Sequence, residues 1–387
     1  MLEKFLLTRN RTKQIMQPLL IEDYIPQAAD FVSPPKWHLG HTTWFFEEFI
    51  LNKFVKNYSY FHPKFGFLFN SYYNSIGTRT KRAMRGLMTR PTVAEVYEYR
   101  NSIDEQIVEL FHKKEKIEAI EFQEIEALLE LGIHHEMQHQ ELFFTDLKYN
   151  FHLNPLAPIY SNDCYVEEGS NQAKAWIPIP QGNYDVGYKG RGFCFDNELG
   201  SHQVYLQEFS ILNELVSNQE FIDFIEDGGY KRHELWLDEG WSFVQNHKIE
   251  LPMYWQKKDA NYYQYTLSGL RRIRNEDILT HINYYEAQAF ASWKNLRLPT
   301  EFEWEVASEN FAWGKRWEWT ASSYLPYPKF QKRAGSVGEY NGKFMVNQMV
   351  LRGASIVTPK EHSRSTYRNF FHPQIAYQYN GIRLVKD

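Results

Sequence analysis

Cysteine is scarce: the 387-residue chain has two, Cys164 and Cys194. That is too few for a disulfide framework and fits a reducing compartment. No run of about 18 apolar residues occurs, so no membrane-spanning helix is expected. Positive charge is not in excess either. The net charge is −5, and no Lys/Arg stripe points to nucleic acid or anionic lipid as a partner. The start, Met1 to Arg9, is too short and too polar for a secretion signal. Internal repeats and low-complexity tracts are also missing. These absences predict a soluble, cytoplasmic, globular protein, long enough for two domains with their own cores.

Aromatic residues, by contrast, are abundant: 11 Trp, 26 Tyr and 28 Phe make up 17% of the chain. Large cores and ring-pinned loops account for most of them. Rings also suit a quaternary ammonium ligand through cation–π attraction. The first part reads as four helices. Helical periodicity covers about 3–20. Pro34-Pro35 opens a second helix over Trp37 to Leu51, Pro91-Thr92 opens a third over Val93 to Lys114, and Glu121 to Tyr149 forms a fourth. A long connection, about Tyr58 to Arg90, separates the second from the third; connections of that length are usually functional or disordered. Four such helices predict a bundle, where metal sites lie between facing helices. From about Ala157 short alternating runs, glycines and tryptophans predict an α+β domain, with helices over Ser217–Asp227 and Tyr284–Lys294 and strands and loops elsewhere. The expected division is 1–155 for the bundle, 156–172 for a linker and 173–387 for the second domain.

His135 and His139 carry the first chemical signal. Spacing i,i+4 places both imidazoles on one helix face, about 5–6 Å apart at Cβ, which suits two ligands of one ion. His135-Glu136-Met137-Gln138-His139 also spells the HExxH of zinc proteases, in which Glu136 would be the general base. A third histidine, His41 or less favourably His38, lies on the second helix. Three neutral nitrogens would leave positions open for substrate. His134 points elsewhere and is read as a non-ligand. On chemistry alone zinc, iron and nickel all remain open. The long connection adds Tyr72 and Tyr73, which could supply a phenolic proton. It also adds Arg79, Arg82, Arg85 and Arg90, which could clamp a carboxylate.

The chain resembles the ergothioneine-pathway sulfoxide synthases, which join cysteine or a cysteine derivative to hercynine. The stretches that carry the resemblance are Glu22–Tyr24, Ser33–Glu47, Phe69–Gly77, His134–Leu142, Asp196–Glu198, His281–Ala287, Arg297–Glu305, Trp317–Thr320, Arg352–Ser355, Tyr367–Pro373 and Gly381–Leu384. They run nearly end to end. The resemblance implies a DinB-like four-helix bundle followed by a formylglycine-generating-enzyme-like domain of the C-type-lectin type. It implies mononuclear Fe(II) on His41, His135 and His139, and makes the protease reading remote. Of the Tyr72/Tyr73 pair, Tyr73 is favoured as the proton donor. Gln138, Asn369, Phe370 and Phe371 would line the hercynine pocket. Arg79 and Arg82 are the choices for the thiol substrate's carboxylate, with Arg85 and Arg90 in reserve. The implied reaction is O2-dependent C–S bond formation at imidazole C2 with sulfoxidation. Free cysteine is the expected thiol on the Asn70-Ser71-Tyr72-Tyr73 pattern. Alternatives are γ-glutamylcysteine, a histidine acceptor, a selenium donor, a zinc hydrolase, or a non-catalytic binding module. Formylglycine generation itself is not expected, because no cysteine follows Cys194.

Overall fold

A computed structural model describes residues 1–71, 73, 77–162, 169, 173–331 and 341–387. The chain divides into two compact units. One comprises Met1–Ser161 with Thr358–His362; the other comprises Asn162–Val357 with Ser363–Asp387.

The first unit is the expected bundle. Its helices are α1 (Leu2–Met16), α2 (Pro35–Phe46), the short α3 (Phe65–Phe69), α4 (Val93–His112) and α5 (Ala119–His152). Proline at the first position starts α2, where a missing N–H costs nothing. Every residue of α2 is buried, so it is the bundle's central helix, packed by α4 and α5. It runs on through a π-turn, Glu47–Leu51, to Phe54. A capping box starts α4. The Thr92 hydroxyl accepts from the Glu95 N–H at 3.2 Å, and the Glu95 carboxylate accepts from the Thr92 N–H at 2.7 Å. Along α4, Val96, Tyr99, Ile103 and Ile107 recur at helical spacing and are fully buried, as are Ile125, Leu129 and Ile133 along α5. The long connection contains α3 and a 3-10 turn, Arg82–Leu87.

Two glycines set how closely these parts approach. A Cβ on Gly132 of α5 would sit 2.4 Å from the Phe46 ring of α2, and one on Gly40 of α2 would sit 2.1 Å from the Phe69 ring. Both glycines precede a histidine by one turn or less, so contact is tightest where the chemistry is expected.

The second unit is sheet-rich. Strands β1 (Trp176–Ile179), β4 (Phe209–Leu212) and β12 (Val385–Lys386) form one sheet, and β2 (Gly182–Val186) pairs with β3 (His202–Leu206). β5 (Trp255–Lys258), β6 (Asn261–Thr266) and β7 (Gly269–Arg272) form a meander. The fourth sheet has the order β10 (Asn369–Phe371), β9 (Met349–Gly353), β8 (Trp317–Ser323), β11 (Asn380–Gly381). The expected helices form as α6 (Asn218–Glu226) and α8 (Tyr284–Trp293), each opened by a capping box. Two further helices, α7 (Asp238–His247) and α9 (Glu301–Ala307), stand where loops and strands were expected. With seven residues, α9 is too short for a periodic signal; its capping box, Thr300 with Glu303, is the local cue. A core of Ile179, Phe209, Ile211, Trp304 and Val385 is stiffened by buried ion pairs. Glu318 accepts from Arg383 at 2.7 Å and from the Trp304 indole at 2.6 Å.

Candidate metal centre

His41 of α2 and His135 and His139 of α5 converge. One nitrogen from each can be chosen so that all three lie within 4.8 Å of one another. His41 Nε2 and His135 Nε2 are 3.2 Å apart. Two nitrogens each about 2.1 Å from one ion would be that far apart at an angle of roughly 100°. The donor set therefore fits a metal ion.

Burial keeps these rings in the ligand state. Desolvation, then the neighbouring His135, holds His41 well below the usual imidazole range. Desolvation pushes His135 down to about 3. His139, partly exposed at its edge, is held low by desolvation and then by His135 and His41. Neutral imidazole is the form that binds a cation.

Two of the rings, those of His41 and His139, are also gripped from outside. His41 Nδ1 donates to the Phe69 carbonyl at 2.6 Å. The ring of His41 stacks on Trp37 at 4.4 Å, 13° from parallel, and Trp44 covers its other neighbourhood at 5.7 Å. The Arg85 guanidinium lies 3.4 Å from the Trp37 ring centre and donates to Ser33 at 2.9 Å and Ser71 at 3.1 Å. His139 Nδ1 lies 2.9 Å from His38 Nδ1, and His38 Nε2 lies 3.0 Å from Asp146 Oδ2.

Glu136, the would-be base of the HExxH pattern, faces the other way. Adjacent helical residues do not share a face. Its carboxylate is fully buried and accepts from Arg9 at 2.9 Å, Thr12 at 2.5 Å and Arg100. Burial alone would raise its pKa, but Arg100 and Arg9 pull it down to about 2. A carboxylate so held by Arg9, Arg100 and Thr12 is a poor general base, which weighs against the HExxH hydrolase reading.

The other anticipated residues fall as follows. Tyr73 is buried, its ring 5.7 Å from Trp44 and 5.2 Å from Phe49, and so is joined to His41 through Trp44. Tyr72 lies outside the described residues. Arg82 is exposed and donates to the Phe31 carbonyl; Arg79 is half-buried, Arg90 exposed and Arg85 buried. Gln138 is half-buried on α5 between the two histidines. His134 faces His362, as its reading as a non-ligand anticipated. In the second unit, Asn369, Phe370 and Phe371 form β10, with Phe370 stacked on Tyr324 at 4.0 Å and near Phe344. Sequence reasoning passed over Asp146, although it stands seven residues after His139, two turns along the same face. It could not foresee the Phe69 carbonyl, because a backbone acceptor leaves no mark in a sequence.

The comparisons with known proteins follow the two units. Residues 4–143 match the DinB superfamily, and residues 163–316 match the sulfatase-modifying factor enzyme 1-like domain. A hercynine oxygenase of Mycolicibacterium smegmatis is 26% identical over 310 residues, 66% of this chain and 71% of that protein. That of Mycobacterium tuberculosis is 28% identical over 240 residues, 50% of this chain and 56% of that one. The chain thus joins a DinB-superfamily match to a sulfatase-modifying factor enzyme 1-like match, and it is similar to the hercynine oxygenases. A more distant relative is the ergothioneine biosynthesis protein 1 of Schizosaccharomyces pombe, 24% identical over 58% of this chain and 31% of that protein. The aligned part thus spans from about a third to about 70% of the length of these relatives. Among the described residues, no helix is long and apolar enough to cross a membrane.

Proposed function

We propose that this chain is a cytoplasmic, Fe(II)-dependent sulfoxide synthase that joins a cysteine thiol to C2 of the hercynine imidazole. The observation that carries the reading is the convergence of His41, His135 and His139 in the unit that matches the DinB family. The names of the relatives supply the substrate class. The reaction balances as thiol S–H plus imidazole C–H plus O2, giving the C–S(=O) linkage and one water. Iron bound to the three histidines supplies O2 activation.

The chain's own residues supply the rest. The three imidazoles are kept neutral by burial, so uptake of iron does not have to displace a proton from a cationic ring. Tyr73, or its neighbour Tyr72, donates the proton that the departing oxygen requires. Gln138 fixes the imidazole of hercynine, whose trimethylammonium group cannot donate a hydrogen bond and favours aromatic faces. Arg79 and Arg82 hold the carboxylate of the thiol substrate. Free cysteine is the proposed thiol.

Mass spectrometry of one reaction tests this. Iron-loaded protein is mixed with hercynine, O2 and equal cysteine and γ-glutamylcysteine. A hercynyl-cysteine sulfoxide is the expected product. A γ-glutamyl adduct would overturn the choice of thiol. No adduct, with iron verified, would overturn the function.

A further inference from the structure

His139 is held by a chain of two buried groups. His38 contributes Nδ1, 2.9 Å from His139 Nδ1, and Asp146 contributes Oδ2, 3.0 Å from His38 Nε2. The same Asp146 oxygen accepts the backbone N–H of Ser33 at 2.8 Å. Both His38 and Asp146 are almost fully buried, so water does not compete for these bonds. The same two helices supply both layers. His38 lies one turn before His41 on α2, and Asp146 lies two turns after His139 on α5.

The hydrogens follow from elimination. A carboxylate accepts and does not donate. A neutral His38 therefore carries its hydrogen on Nε2, aimed at Asp146, and turns a bare lone pair toward His139. Two bare nitrogens cannot bond, so His139 must carry its hydrogen on Nδ1. Its Nε2 is then bare, which is the tautomer that a cation requires. His41 reaches the same state by a shorter route, donating Nδ1–H to the Phe69 carbonyl at 2.6 Å.

We propose that Asp146 and His38 act in series as positioning residues, fixing the tautomer and ring orientation of His139 for a metal ion shared with His41 and His135. The inference rests on the metal-site reading given under Proposed function. It goes beyond that reading in assigning two residues that touch neither metal nor substrate.

The test is iron affinity, measured anaerobically on the full chain by competition with a colorimetric chelator at about pH 8, above the ordinary imidazole range. Removing an outer hydrogen-bond partner of a ligating histidine typically costs about 10–100-fold in metal affinity. Asp146→Leu and His38→Phe should each lose that much. Asp146→Asn should stay within about threefold of wild type, because Ser33 N–H keeps an oxygen facing His38. The double variant should be no weaker than either single one, since both break one chain; independent structural damage would add instead. The metal-free melting temperature is followed in parallel, and if Asp146→Leu does not fold, His38→Phe and the Asn rescue carry the test. Wild-type affinity in Asp146→Leu or His38→Phe, or additive losses in the double variant, would overturn the relay alone. A wild-type chain that takes up no iron would overturn the relay and the proposed function together.

Discussion

Replacing Gly40 with alanine sets two physical effects against each other at one site. In a helix interior glycine is worse than alanine by about 1 kcal/mol, so propensity alone predicts a more stable chain. Packing predicts the opposite. The new Cβ would lie 2.1 Å from one Phe69 ring carbon and 2.4 and 2.5 Å from two more. Ordinary carbon contacts sit at about 3.5–4.0 Å, so the ring would have to retreat by roughly 1.4 Å. It has nowhere to go: Phe69 is fully buried, with Phe65 at 5.2 Å and Tyr99 at 6.3 Å. Overpacking of this kind costs about 1–3 kcal/mol and sometimes more. Taking the upper end for so short a contact leaves a net loss of about 2 kcal/mol, or roughly 4–8 °C in melting temperature for a unit of this size. Iron affinity should fall as well, because the displaced residue is the one whose carbonyl holds His41 Nδ1. Gly66→Ala is the control. Its Cβ would meet one atom, Trp44 Nε1, at 3.8 Å, so it should be neutral or stabilising by up to about 1 kcal/mol. Thermal melts with and without iron read both quantities. A Gly40→Ala chain as stable as wild type, with undiminished iron affinity, would refute the reasoning.

Other predictions concern single side chains. His135→Ala should abolish bound iron, and full occupancy measured by elemental analysis would remove it from the ligand set. Tyr73→Phe should keep iron yet lose C–S coupling, diverting the thiol to its sulfinate; unchanged sulfoxide yield in both Tyr73→Phe and Tyr72→Phe would remove the phenol from the chemistry. Glu136→Ala should leave the buried Arg100 without its carboxylate partner, while Arg9 keeps Asp104 at 2.6 Å, and cost about 3–5 kcal/mol, read by urea unfolding. The wild-type Glu136 carboxyl is held down at about 2, below its unfolded value of about 4.3. Its stabilisation is therefore complete above about pH 4.3 and is lost as the pH falls toward 2. Glu136→Gln should lose less stability than wild type between pH 6 and pH 3, and parallel losses would refute the assignment.

The bundle was legible because its signals are local. Proline at position 35, the Thr92–Glu95 box and the spacing of apolar residues along α4 each act within a turn or two. The His135/His139 pair was legible for the same reason. His41 was preferred to His38 from the sequence and assigned by the resemblance; spacing alone could not separate their roles, since both lie on α2 and both turn toward α5. The relation of His38 to His139 and Asp146 was hidden because it joins residues 101 and 108 positions apart. Glu136 misled in the opposite direction: the five-letter pattern is satisfied, but Arg9 and Arg100, from two other helices, claim the carboxylate. α9 escaped notice because two turns are too few to show a period.

Thr358–His362 belongs with the bundle although it is encoded about 200 residues after the bundle's own last residue. There Thr358 donates to Glu141 at 2.7 Å, and His362 stacks beside His134, the immediate neighbour of His135. On the ribosome, α1 to α5 emerge first, and at roughly 5–20 residues per second the five completing residues follow about 10–40 s later. During that interval the helix bearing two of the three histidines lacks one of its covering segments. Its last contacts wait for the whole intervening second-unit segment, residues 162–357, to be made.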